Sequence, residues 1–405
     1  MVVMGFSTTL SPTTKCVGVA SRVQSSMPAP RISFVPGSRA LNLKRVVSVH
    51  AKKLGKTTEA EVVPDAPPSK GSAAEDDPNR AFFLGVKGNA QMLGIRGAAV
   101  ETDIWKIRLQ LTKPVTWIPL IWGVICGAAA SGNFEWTFRD CALSALCMLM
   151  SGPLLTGFTQ TMNDYYDREM DAINEPNRPI PSGAIPEGDV VAQIWILFFT
   201  SIAVAYTLDQ ASPSHDNLQL TGLALIGSFI SFAYSVPWIK LKRSGWIGNY
   251  ALGSSYIALP WWAGQILFGQ LRLDVAILTM LYSIAGLGIA IVNDFKSIKG
   301  DRELGLNSLP VAFGIERAKW ICAASIDVTQ LGVAAYLAWG LNEPYYAAGI
   351  AACLAPQVYA QVRYFLPDPV ANDVKYQATA QPFLVIGLLV TALAIGHQAT
   401  PVALG

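Results

Sequence analysis

From residue 113 onward the chain is a train of apolar runs, each close to the roughly 20 residues a helix needs to cross a ~30 Å hydrocarbon core. Nine lie near 113–131, 141–162, 190–208, 218–238, 249–268, 274–292, 318–339, 344–364 and 380–397. Only helices and closed barrels satisfy their backbone in lipid, and runs this continuously apolar lack the alternation of barrel strands. The expected fold is therefore all-α: an integral membrane bundle of about nine transmembrane helices. Composition agrees, since 14% of the residues are charged and 52% hydrophobic, against about 25% charged in a soluble domain. A cytosolic enzyme, a nucleic-acid binder and a disordered scaffold are excluded. Six cysteines form no C-x-x-C pair, so neither a disulfide framework nor a zinc site is expected.

The net charge of +2 adds two unlike regions. Residues 1–58 hold nine Lys or Arg and no acid; the rest holds 21 basic and 28 acidic residues. Rich in Ser and Thr and without a continuous apolar core, residues 1–51 read as a plastid transit peptide. Residues 52–100 read as a flexible linker, and 101–405 as the membrane domain. With nine spans, fifteen Lys and Arg of that domain fall on one side and only Arg139 and Arg272 on the other. The basic side faces the compartment of synthesis, the stroma of a plastid.

On that side lie two acidic clusters. Asn163, Asp167 and Asp171 are spaced i, i+4, i+8, so a helix leaving the second run projects them from one face. Asn293, Asp294 and Asp301 follow the sixth run, 130 residues later. The spacing describes two tandem four-helix repeats followed by a ninth helix. Oxygen ligands grouped at a membrane helix end repel one another without a cation, and such ligands suit Mg²⁺ bound jointly with substrate phosphates. Arg178, Lys240, Lys296 and Arg302 share the surface, which describes a site for a diphosphate. Lys240, Lys242 and Arg243 either touch phosphate or do no more than set topology, and Asp189, Glu316 and Asp373 read as solvated charges or helix caps.

The pattern N-D-x-x-D-x-x-x-D and a second Asp motif after the sixth helix resemble the UbiA superfamily of intramembrane prenyltransferases. More narrowly, NDYYDREMDAINEPNRPIPSGAI (163–185) and NDFKSIKGDRELGLNSLPVAFG (293–314) are similar to the chlorophyll branch of that superfamily. The likeness covers about residues 95–405. It implies a UbiA-like bundle in the thylakoid membrane that esterifies the propionate of chlorophyllide with a phytyl or geranylgeranyl group from its diphosphate, using Mg²⁺. Carried over by position, Asn163, Asp167, Asp171, Asp294 and Asp301 are the metal residues, with Asp167 and Asp294 catalytic. Lys299 stands where that branch would have an acid, and either adds a diphosphate contact or weakens a second metal site. Light-harvesting-like or insertase proteins are partners the family implies.

Other readings are an aromatic or quinone-precursor prenyltransferase, a transporter and a pigment-binding protein. The long motif strings oppose the first. Acids gathered at one face, with almost no His or Glu inside the spans, oppose the other two. His50 lies in the leader, and His215 and His397 fall opposite the acidic clusters, so no His ligation of the chlorin magnesium is expected. Gly123 and Gly127 read as a helix-packing contact. Asp327, inside the seventh run, is either a helix–helix hydrogen bond or a support for the site.

Overall fold

A computed structural model describes residues 100–213, 217–303 and 305–399. The expected transit peptide, His50, His215 and all of the expected linker but Val100 lie outside them. Among the described residues the regular structure is helical: α1 (Ile104–Leu111), α2 (Trp117–Ser131), α3 (Phe138–Leu149), α4 (Gly157–Asn174), α5 (Glu187–Ala211), α6 (Gln219–Ser235), α7 (Gly245–Phe268), α8 (Leu273–Asp294), α9 (Ile298–Glu303), α10 (Leu309–Ala335), α11 (Pro344–Ala360) and α12 (Pro369–Gln398). The all-α expectation holds. Each expected run coincides with a helical rod, but among the described residues six segments are long and apolar enough to cross a membrane by themselves: Ile104–Ser131, Phe138–Ile173, Glu187–Ala211, Leu273–Asp294, Leu309–Gly340 and Pro369–Gln398. α6, α7 and α11 are not among them. For α7 the reason is composition: Gly248, Asn249, Gly253, Ser254, Gly264 and Gln265 are buried against other helices instead of lipid.

The second rod changes its winding midway. Pro153 has no N–H to give, and the chain passes from α3 to α4 through a π-helical stretch, Met150–Thr156. Wider turns of this kind absorb a missing i→i−4 bond. The Thr156 hydroxyl donates to the Ser151 carbonyl at 2.8 Å, satisfying one acceptor there.

Small residues let α2 meet α7 backbone to backbone. A Cβ on Gly127 would stand 2.0 Å from the Trp261 carbonyl oxygen, and one on Gly264 would stand 2.2 Å from that of Val124. A Cβ on Gly123 would stand 2.6 Å from the Pro260 ring. The glycine pair expected to pack helices therefore packs α2 on α7, the usual device where lipid gives no hydrophobic drive between helices. Asp327 makes the helix–helix bond: it accepts from Gln361 Nε2 at 2.8 Å. Asp373, expected to be solvated, is buried at 4% exposure, because its helix turns that face inward.

Candidate active site

α4 carries the first acidic cluster on one continuous helix. Its i, i+4, i+8 spacing brings Asn163, Asp167 and Asp171 onto the wall of one cavity of about 440 Å³. Beyond Asn174 the segment 175–186 holds Pro176, Pro179, Pro181 and Pro186, so no helix can continue. It folds back instead, with Ile180 and Ile185 packed against Ile107, Leu111 and Val190. That return presents Arg178 to α4. Its guanidinium forks onto Glu175 at 3.1 Å twice, and reaches Asp171 at 2.9 Å and Asp164 at 3.5 Å. Burial opposes the charge, yet Asp164, Asp171 and Glu175 hold Arg178 protonated more firmly than a free guanidinium. Lys113 Nζ donates to the same Asp164 at 2.6 Å.

The second cluster joins from α8 and α9. Asn293, Asp294, Lys296, Ser297 and Asp301 line the same cavity. Asp294 accepts from Asn249 Nδ2 of α7 at 2.8 Å. Asp301 accepts from Ser297 Oγ at 3.0 Å, and burial pushes its carboxyl above the usual carboxylate range. Thus the two clusters share one cavity wall. Among the described residues no three His, Cys, Asp or Glu side chains converge closely enough to hold a metal ion on their own.

The cations are not all those expected. Arg178 and Lys296 line the cavity, whereas Lys240, Arg302 and Lys299 do not. Arg302 and Lys299 are exposed. Lys240 is left-handed at φ 42°, opening a tight turn over Leu241–Arg243 that aims Lys242 inward. Lys242 donates to Asp167, the two side chains being 8% and 7% exposed. Burial and the Lys242 charge lower the Lys240 pKa. The turn is held by backbone bonds to the loop before α10, Gly245 N to Asn307 O at 3.0 Å and Asn307 N to Arg243 O at 3.2 Å. Sequence reasoning thus placed the ammonium two residues too early, and passed over Lys113 and Asn249. Asn249 had a readable signal: an amide at the head of an apolar run.

Away from the polar mouth the cavity is walled by Leu120, Met150, Leu155, Leu223, Ile230 and Leu259. A second cavity of about 710 Å³ adjoins it, walled in part by Trp122, Ile257, Leu384 and Leu388, with Gln377 and Gln381. His397 lines neither; it ends α12 and pairs through Nδ1 with Glu343 at 2.6 Å.

Over 369 residues, 90% of this chain and 93% of the relative, the sequence is 58% identical to the chloroplastic chlorophyll synthase of Avena sativa. It is 64% identical to that of Arabidopsis thaliana over 307 residues, 76% of this chain and 79% of the relative. In fold it is similar to a solved digeranylgeranylglyceryl phosphate synthase, at 24% identity and a TM-score of 0.54, over 72% of this chain and 99% of that one. Residues 116–385, the stretch that contains both acidic helix ends, match the UbiA prenyltransferase family, and the chain belongs to that family.

Proposed function

We propose that this site performs the chlorophyll synthase reaction. The phytyl or geranylgeranyl group of a prenyl diphosphate passes to the propionate carboxylate of chlorophyllide, and diphosphate leaves. The observation that carries the reading is one cavity with two unlike ends: a mouth of carboxylates, amides and cations, and an apolar arm running into the bundle. An amphiphile with a highly charged head and a long hydrocarbon tail fits that shape.

Asn163, Asp167, Asp171, Asp294 and Asp301 are the residues that would hold Mg²⁺. The fit rests on their donor chemistry, hard oxygens without His or Cys. Their failure to close a cage among themselves suits an ion that completes its coordination with substrate phosphate and water. When bound, the metal stabilises negative charge building on the leaving diphosphate. Arg178, Lys242 and Lys296 add fixed positive charge at the same mouth, the preorganised stabilisation that lowers such barriers most. The acceptor carboxylate is already ionised at neutral pH, so no general base is needed. The apolar walls keep out water, which would otherwise capture the allylic cation.

The protein is a chloroplast membrane prenyltransferase. Finer features belong to the same proposal: the thylakoid as its membrane, the acidic mouth facing the stroma, residues 1–51 as transit peptide ahead of a 52–100 linker and a 101–405 catalytic domain, and light-harvesting-like or insertase proteins as partners. The test is an assay of membranes containing the protein with chlorophyllide, Mg²⁺ and phytyl or geranylgeranyl diphosphate. Esterified pigment is expected, and Asp167→Ala or Asp294→Ala should lower its formation about a thousandfold or more, the scale of losing a preorganised charge at a transition state, with insertion into the membrane retained. Prenylation of an aromatic acid without esterified pigment would overturn the acceptor; turnover retained in either variant would overturn the acidic site.

A further inference from the structure

The two cavities share a wall, and the reaction proposed above requires its two substrates to meet across one. Lys113, Arg178, Leu252, Tyr256 and Lys296 are among the residues that line both. Among the described residues Tyr256 is the only aromatic side chain in that shared set. It projects from α7, and its hydroxyl accepts from Gln160 Nε2 of α4 at 3.3 Å, which ties its ring between the helix of the first acidic cluster and the helix bearing Asn249. The first cavity has the charged mouth and apolar arm suited to the prenyl diphosphate. The second is the larger at about 710 Å³, with broad apolar faces at Trp122, Leu384 and Leu388 and two side-chain amides from α12. It falls in the size range of sites that enclose a cofactor-sized ligand.

We infer that the second cavity holds the chlorin acceptor and that Tyr256 is a catalytic residue, its ring face standing where the prenyl carbon passes from diphosphate to carboxylate. The inference rests on the chlorophyll synthase reading. In the step, the bond from the prenyl C1 to the diphosphate oxygen breaks and its electron pair leaves with diphosphate. A carboxylate oxygen then gives a pair to C1, and no proton moves. Between these events the allyl group carries positive charge in a place walled off from water. Carboxylates could stabilise that charge only by competing as nucleophiles, and those at the mouth face the diphosphate end. An aromatic face attracts a cation through its quadrupole and forms no bond with it. The hydroxyl serves only to hold the ring.

The test replaces residue 256 in the full-length protein and measures steady-state kinetics for both substrates. Tyr256→Phe should keep kcat within about threefold, and Tyr256→Leu should lower it about thirtyfold at a nearly unchanged donor KM, the scale of a desolvated cation–π contact. Phenylalanines carrying one, two and three ring fluorines, incorporated at 256, keep the ring's shape while draining charge from its face. They should lower kcat stepwise, and this series reports even where Tyr256→Leu fails to fold. A flat series, or Tyr256→Phe as slow as Tyr256→Leu, would overturn the role of the ring. Unmodified protein that forms no esterified pigment would instead overturn the reaction on which the inference rests.

Discussion

Replacing Lys242 by Met isolates the contact that holds the acidic mouth together before substrate arrives. The ammonium and the Asp167 carboxylate touch, and both side chains are more than nine-tenths buried. At an ordinary ion-pair separation and an effective dielectric near 20, such an attraction is roughly 5 kcal/mol. Desolvation of the two ions offsets much of this, so the pair contributes little net stability, but leaving one ion alone costs about 3–5 kcal/mol. Lys242→Met should therefore lower the unfolding temperature of the detergent-solubilised protein in EDTA by several degrees. Asp167→Asn should do the same by stranding the ammonium. The double variant, with neither charge, should lie closer to wild type than the two losses added together, with a coupling of about 2 kcal/mol or more. Adding Mg²⁺ with an unreactive prenyl diphosphate analogue should shrink the Lys242→Met deficit, since Asp167 then regains a cation. Wild-type melting of Lys242→Met in EDTA, together with a strictly additive cycle, would refute the reasoning.

Two further outcomes follow from the packing and the mouth. Gly264→Leu should destabilise the bundle by at least about 1–3 kcal/mol, since even its Cβ would stand 2.2 Å from the Val124 carbonyl, whereas Gly222→Leu, whose Cβ meets nothing within 4 Å, should leave the melting curve unchanged; equal effects would refute the close approach. Arg178→Lys removes the fork to Glu175 and Asp171 that an ammonium cannot reproduce, and should raise the donor KM about tenfold, or roughly 1.4 kcal/mol, in steady-state assays. An unaltered KM would detach Arg178 from the diphosphate.

The helices and both acidic clusters were legible because each is a local pattern: apolar runs of membrane length, oxygens repeated every four residues along α4, and an Asn-Asp pair closing the sixth run with Asp301 seven residues behind Asp294. Arg178 was legible for the same reason, lying in the stretch that turns back onto its own helix. What escaped depends on distant pieces of chain. Lys242 rather than Lys240 faces Asp167 because a tight turn is pinned to Asn307, and nothing within 240–245 announces that bond. Lys113 reads as a membrane-flanking charge until the end of α1 stands beside α4. Tyr256 reads as one more apolar-run residue until the two hollows on either side of it exist. Asp373 shows the converse, an acid in a helix start whose burial is decided by what the rest of the bundle lays over it.

The π-helical stretch at Met150–Thr156 gives the second rod a phase as well as a bend. An α-helix advances about 100° per residue, so each residue taken up by a widened turn rotates everything beyond it by about that angle relative to an unbroken helix. The compass bearing of Asn163, Asp167 and Asp171 is therefore set roughly three to five turns upstream of them, around Pro153. Tightening that stretch by a single residue would swing the acidic face off the cavity while leaving every side chain of the motif unaltered. In this rod, aim and ammunition are encoded in separate places.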